Sequence, residues 1–486
     1  MLLKPNQHLS LRFLESLIVL FGLAACNQNI SSHGKSYGEP TEAYVRLPSS
    51  LVTDKFVDAS GFIQDHIHSE HYAFGYLKKA VLDKLPQTQQ QLINELNIYE
   101  WTHFPHDLNT LRRLPDTDAS GDYEEFHDFA SMTTELEQTA ARFPEITHLE
   151  PAGLSVQGRE LWLMKISANA QRNDQRPKIL LIANMHGDET VGRELMLYLI
   201  RMLTQGYQHD ERISRLVNAA QIFIMPSMNP DGFELGQRNN ARDVDLNRNF
   251  PDFVSDPHDT PTKRAAETQA IMQLHASHHF IMALNFHGGE VCFNVPWDTK
   301  SNARNSERFG DDTLLRHIGR QYADLNATMR VNHSGSFDHG LTYGYEWYRV
   351  KGGMQDWSIF YRESTHATVE LSHVKWPSAA HLPRLWDENR EGIIRYLEQA
   401  LLGIHLKLVD RSSATVTQVS VRTHSNDRTS GNDRTVHYTS GYVNRPSLSK
   451  MLTLEISSPG YRPETLTISP WEFTGSNYRE LVLSKD

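Results

Sequence analysis

Between residues 126 and 402, short apolar runs alternate with longer stretches whose apolar residues recur every three or four positions. The runs at 161–166, 179–183, 222–225, 280–284 and 367–371 each predict a strand. The stretches 132–143, 194–203, 264–275, 314–328 and 385–402 carry helical spacing. Such alternation predicts an α/β domain with a mixed, mostly parallel sheet flanked by helices. Near Gly403 the texture changes to short Thr/Ser/Val-rich runs between turn residues, among them 404–409, 415–421 and 452–456. These predict a small all-β sandwich of about 80 residues. The tetrapeptide Asn-Asp-Arg-Thr occurs at 426–429 and again at 432–435, inside one polar stretch, and reads as an expanded loop. Upstream, helical stretches are expected at 74–85 and 87–96, and residues 27–50 have the Ser, Gly and Asn content of a tether. The expected organisation is a leader over 1–26, a tether and region of unassigned role over 27–120, the α/β domain over 121–402 and the sandwich over 403–486.

At 486 residues the chain suits two or three domains. Its 48 basic and 59 acidic residues give a formal charge of -11, which argues against nucleic acid as a partner and mildly favours cationic ligands. Two cysteines, Cys26 and Cys292, do not make a disulfide framework. Lys4 and Arg12 precede an apolar run at 17–21 too short to span a bilayer, and Leu23-Ala24-Ala25 stand immediately before Cys26. The pattern resembles a bacterial lipoprotein signal, which implies cleavage before Cys26 and a membrane anchor on its lipidated thiol. Asn27 then points to the outer membrane, with the protein facing the periplasm, and Cys292 is left as a packing thiol.

Three predicted strands end in residues that bind metals or move protons, and ligand sites in open α/β sheets lie at the carboxyl ends of strands. One strand runs into Asn184-Met185-His186-Gly187-Asp188-Glu189, a second into Asn285-Phe286-His287-Gly288-Gly289, and the last carries Thr368-Val369-Glu370-Leu371. Two imidazoles and one carboxylate are the ligand set of catalytic zinc, which keeps a position open. His186 and Glu189, three residues apart, converge from one turn, and His287 closes the site from a neighbouring strand. A second grouping, His66, His68, Glu70 and His71, lacks fixed backbone spacing and reads as surface histidines.

With these residues in place, the chain resembles the zinc carboxypeptidases of the N/E type, which include carboxypeptidases D, E, M and N. The resemblance rests on Gln157-Gly158-Arg159-Glu160-Leu161-Trp162, on His186 through Glu194, and on Met228-Asn229-Pro230-Asp231-Gly232-Phe233. It continues through Arg238-Asn239-Asn240, the stretch from Asp245 to Pro251, Gly352 through Trp357, and Val369-Glu370-Leu371-Ser372. It covers about residues 126–402, and the β-rich tail resembles the transthyretin-like domain of the same group.

The resemblance implies that His186, Glu189 and His287 hold one zinc ion, with Asp245 orienting the first histidine. It makes Glu370 the general base and puts the charge of Arg238 at the developing oxyanion. Asn247, Arg248 and Tyr348 match the group's set for the free terminal carboxylate of a peptide substrate, which a guanidinium binds through paired hydrogen bonds. Asp298 and Gln355 match the positions that mark preference for a terminal Arg or Lys. Glu290 departs from the small residue expected after His287-Gly288-Gly289, and Thr342-Tyr343-Gly344-Tyr345 departs from the usual Asn-containing turn. The expected function is removal of one C-terminal basic residue from peptides by a monomer. Trimming of cell-wall peptides and non-catalytic peptide binding are the alternatives.

Overall fold

The computed structural model describes residues 42–52, 56, 63–69, 72–96, 126–300, 310–333, 335–424, 434–448 and 451–486. The leader, Cys26, most of the tether, Glu70, His71 and the side chains of His66 and His68 lie outside the described residues, as does most of the Asn-Asp-Arg-Thr stretch. Over 42–96 the chain forms an antiparallel sheet of β1 (Glu42–Pro48), β2 (Ile63–Ser69), β3 (Tyr72–Lys78) and β4 (Asn94–Leu96), in the order β2-β3-β1-β4. The helix expected at 74–85 is therefore half strand, because Tyr72, Phe74 and Tyr76 recur with period two, and only Lys79–Leu82 turns helical. The second expected helix shrinks to Gln87–Gln90 before β4. The end of the expected tether is structured as β1, whose Val45 and Leu47 are buried in a small core with Phe56 and Leu77.

The large sheet has eight strands: β5 (Thr147–Leu154), β6 (Glu160–Ile166), β7 (Lys178–Ala183), β8 (Gln221–Met225), β9 (Met282–His287), β10 (Val291–Val295), β11 (Leu341–Tyr343) and β12 (Thr365–Leu371). Their order is β11-β10-β12-β9-β7-β8-β6-β5. The centre, β12-β9-β7-β8, is parallel, while β6 joins β8 and β10 joins β12 antiparallel. Helices α1 (Phe129–Arg142), α2 (Val191–Gly206), α3 (Glu211–Ala219), α4 (Ala266–Ser277), α5 (Asp312–Leu325), α6 (Met354–Arg362) and α7 (Leu382–Gln399) accompany it. Ile179, Leu181 and Ala183 of β7 belong to one apolar core with Leu195 and Leu199 of α2. Leu180 and Ile182 belong to another with Ile271 of α4 and Trp357 of α6. A strand buried on both faces has no polar alternation, which is why β7 reads as a continuous apolar run. The chain goes from β7 to β8 on one side and from β9 to β12 on the other, so the sheet changes direction between β7 and β9. Crevices for ligands form at such a point.

α7 leads almost directly into the tail, which has β13 (Leu402–Asp410), β14 (Val419–His424), β15 (Arg434–Tyr438), β16 (Tyr442–Pro446), β17 (Leu452–Ser458), β18 (Tyr461–Ile468), β19 (Trp471–Glu472) and β20 (Arg479–Leu483). One sheet is β16-β13-β19 with β20 beside β13, the other β15-β14-β17-β18. Ile404, Leu406, Val419, Val421, Leu454 and Ile456 share the apolar core of this sandwich. Arg445 donates to the buried carboxylate of Asp311, Nη1 to Oδ2 at 2.7 Å, and Arg434 donates to the same carboxylate. Arg434 also reaches Thr365 Oγ1 at 3.0 Å, at the start of β12. The tail is thereby clamped to the strand that carries Glu370.

Candidate active site

At the end of β7, Asn184 adopts a left-handed φ of 54°, which turns the chain out of the sheet. Its amide donates to the carbonyls of His186 at 2.9 Å, Gly187 at 3.1 Å and Glu189 at 3.2 Å, while Oδ1 accepts from Ser227 Oγ at 2.7 Å. Asn229 braces the same turn from the other side through the carbonyls of Met185 and Arg238, at 3.2 and 3.1 Å. A β-carbon at Gly187 would lie 2.1 Å from the Gly232 backbone, so only glycine fits that approach. These contacts present His186 and Glu189 from one turn. His287, the last residue of β9, stands in register beside Glu370 of β12.

The three side chains converge. His186 Nδ1 is 3.1 Å from His287 Nδ1 and 2.9 Å from Glu189 Oε1, and His287 Nδ1 is 2.8 Å from Glu189 Oε2. Behind them His186 Nε2 meets Asp245 Oδ1 at 3.2 Å, which leaves Nδ1 as the nitrogen facing the gap. Tetrahedral zinc at about 2.1 Å from its ligands separates them by about 3.4 Å, so this donor set accepts the ion with a small outward adjustment. Arg238 donates to Asp245 Oδ2 at 3.0 Å and to Glu189 Oε1 at 3.3 Å. Lys375 Nζ lies 2.9 Å from Glu189 Oε1. Burial would raise the Glu189 carboxyl, but His186, Lys375 and His287 together hold it well below the usual range. Asp245 is likewise lowered against burial, mainly by Arg238. Burial and Arg238 work to lower His186, yet the two carboxylates leave it raised, whereas burial wins at His287 and lowers it.

A cleft opens from this cluster. Strand register builds its floor: Glu370 stands beside His287, and Thr368, two residues earlier on the same face, stands beside Asn294 of β10. Arg238, Asn247 and Tyr348 line the walls. Asp298 forms part of the lining, is 4% exposed, and accepts from Asn294 Nδ2 at 2.9 Å. Its carboxylate rests on Gly344, where a β-carbon would come within 1.8 Å of Oδ1. Burial raises the Asp298 carboxyl; burial and then the Asp298 charge raise Asp356, which accepts the backbone N–H groups of Asp298 and Thr299 at 3.0 and 2.9 Å.

The structure thus brings His186, Glu189, His287, Glu370, Arg238, Asn247, Tyr348 and Asp298 to one cleft. Gln355 stands behind it rather than in it, donating to Asp298 Oδ1 at 3.2 Å. Arg248 is half-buried beside the cleft, with Nη1 on the Asn247 carbonyl at 3.0 Å. Glu290 is buried away from the lining, 2.9 Å from His373 Nδ1, and so does not add charge to the rim. Lys375, Asn184 and Asp356 were not picked out by sequence reasoning. The first returns to the site through a fold-back after β12, and the other two act through backbone contacts that leave no motif of their own.

The zinc carboxypeptidase profile matches residues 132–392. The chain belongs to the zinc carboxypeptidase family. Mouse carboxypeptidase M is 36% identical over 314 residues, a span of 61% of this chain and 70% of that protein. The catalytic chain of mouse carboxypeptidase N is 32% identical over 384 residues, covering 71% and 82%. Rat carboxypeptidase D is 37% identical over 297 residues, 57% of this chain but only 21% of that longer protein. Among solved structures, carboxypeptidase A from Helicoverpa armigera superposes with a TM-score of 0.55 at 19% identity over 75% of this chain and 98% of that one. That likeness establishes the fold. Family membership makes the chain a metallocarboxypeptidase, and the His186, Glu189 and His287 set fits the family's zinc ion.

Proposed function

We propose that this metallocarboxypeptidase removes a single Arg or Lys from the C-terminus of peptides. The observation that carries the reading is Asp298: a buried carboxylate in the cleft lining, held by Asn294 and Gln355 on the bare backbone of Gly344. An apolar terminal side chain would leave that group desolvated and unpaired, whereas a guanidinium or ammonium pairs with it. His186, Glu189 and His287 hold the metal, with Asp245 fixing the first ring. When bound, zinc supplies an electrophile and makes a neighbouring water acidic. Glu370 takes the proton of the attacking water and passes it to the leaving amine. Arg238, held between Asp245 and Glu189, presents fixed positive charge where the carbonyl oxygen becomes an oxyanion. Asn247, Tyr348 and the adjacent Arg248 take the substrate's free carboxylate. Gln355 acts on specificity indirectly, by orienting Asp298.

The test is hydrolysis of peptides that differ only in the last residue, with and without a metal chelator. Arg- and Lys-ended peptides are expected to be cleaved far faster than Phe-, Leu- or Glu-ended ones, with all activity lost to the chelator and restored by zinc. A preference for Phe, or full activity in metal-free protein, contradicts the reading.

A further inference from the structure

Among the described residues, a second group has the composition of a metal site: His333, Asp338 and His339. It lies between α5 and β11, and its base is well fixed. The Gly340 N–H donates to the Asn332 carbonyl at 2.8 Å, the Asp338 N–H to the Leu341 carbonyl at 2.8 Å, and the Asn332 amide to the Val291 carbonyl at 2.9 Å. Asn332 and Gly340 therefore oppose one another, and His333 and His339, one step further out, face each other across the mouth of the loop. Their ring centroids are 4.2 Å apart at 75°. Asp338 Oδ1 accepts from His339 Nδ1 at 2.7 Å, and its Oδ2 is held by Arg320 of α5 at 3.0 Å.

We propose that His333, Asp338 and His339 form a second site for a divalent transition metal, separate from the catalytic centre. One ligand atom from each residue lies within 4.8 Å of the others. Zinc needs ligand separations of about 3.4 Å, and because all three side chains are exposed, χ rotation closes the difference while the paired backbone stays in place. Two imidazoles and a carboxylate suit zinc, copper or nickel; magnesium and calcium prefer all-oxygen sites. The site is weaker than the catalytic one. Water competes at an exposed position, and the Arg320 charge stands beside Asp338. Its location gives it a consequence. The loop's Phe337 packs edge-on against Trp347 at 5.3 Å, Ser336 Oγ is 2.9 Å from Thr342 Oγ1, and Trp347 lines the catalytic cleft. A metal that clips the loop mouth restrains the wall against which substrate packs, and so acts on KM.

The experiment is equilibrium dialysis of the untagged holoenzyme against zinc at concentrations above that which fills the catalytic centre, with metal per chain read by mass spectrometry. Wild type is expected to take up a second equivalent, and the His333→Ala/His339→Ala double variant only one, with unchanged melting temperature because both side chains are on the surface. A wild type that stops at one equivalent overturns the site, as does a double variant that still binds two. The KM for one peptide, measured across the second equivalent, should move in the wild type and not in the variant. Binding with KM fixed in both overturns the link to the cleft wall.

Discussion

Two clusters of buried charge stand at opposite ends of β12, one beside Thr365 and the other beside Glu370, and they differ in how their hydrogen bonds close. At the start of the strand, Asp311 is surrounded by donors: Arg445, Arg434 and Thr365 Oγ1 all point at its two oxygens. At the end of the strand, three potential metal ligands converge, with Arg238 and Lys375 behind Glu189. His186 gives its Nε2 to Asp245, so Nδ1 is turned toward the other two ligands, within 3.1 Å of His287 Nδ1 and 2.9 Å of Glu189 Oε1. Such convergence is stable only with a cation or a proton in the gap. The first cluster is complete within the chain and holds the tail to the catalytic domain. The second gathers two imidazoles and a carboxylate around one point, the donor set that fits the family's zinc ion.

The largest expected effect comes from breaking the closed cluster. Arg445→Met removes two of the hydrogen bonds to Asp311 and leaves Arg434 as the one remaining cation, with the Thr365 hydroxyl, against a carboxylate with no exposure to water. Removing one partner of a buried ion pair costs about 3–5 kcal/mol. Denaturant unfolding should show a loss near the low end of that range, because Arg434 remains, with kcat/KM per folded molecule close to wild type. A smaller effect is expected in the cleft, where Asp298→Ala should cut the Arg-to-Phe ratio of kcat/KM by about tenfold or more, the value of a hydrogen bond to a charged group of about 1.5–3 kcal/mol. Melting temperature should change little by comparison.

The smallest effect concerns a third cluster, only partly shielded from solvent. His127 lies 3.0 Å from Glu135 and 2.7 Å from Glu194, and these two partners raise its pKa to about 9. The folded value exceeds the unfolded one, so the stability it contributes is complete below about 6.5 and is lost as pH rises through about 9. Melting temperatures across that window should fall more steeply for wild type than for His127→Ala. Parallel curves would show that the histidine contributes no pH dependence.

What was legible in the sequence was local. Strands β7, β9 and β12 announce themselves as apolar runs, and His186, Glu189, His287 and Glu370 follow at their ends, so the metal set and its place in the sheet could be read together. Direction of side chains could not. Gln355 was expected to face substrate and the direction of Glu290 was left open, but Gln355 donates its amide to the Asp298 carboxylate and Glu290 turns to His373, because their neighbours offer partners that spacing does not reveal. The clamp was invisible for a related reason: Asp311 and Arg445 are 134 residues apart and carry no motif. In 74–85, the helical spacing of Val81, Leu82 and Leu85 masked the period-two pattern of the strand before it.

In the proposed reaction the metal cluster works through Glu370, which the register of β12 against β9 sets beside His287. Glu370→Gln keeps the shape of that side chain and removes its capacity to accept a proton. Turnover of an Arg-ended peptide, measured together with zinc content, melting temperature and KM, should show kcat lowered by at least about a hundredfold, the low end for general acid–base catalysis, with the other three unchanged. Near-normal turnover in a zinc-loaded, fully folded variant would show that Glu370 is not the general base.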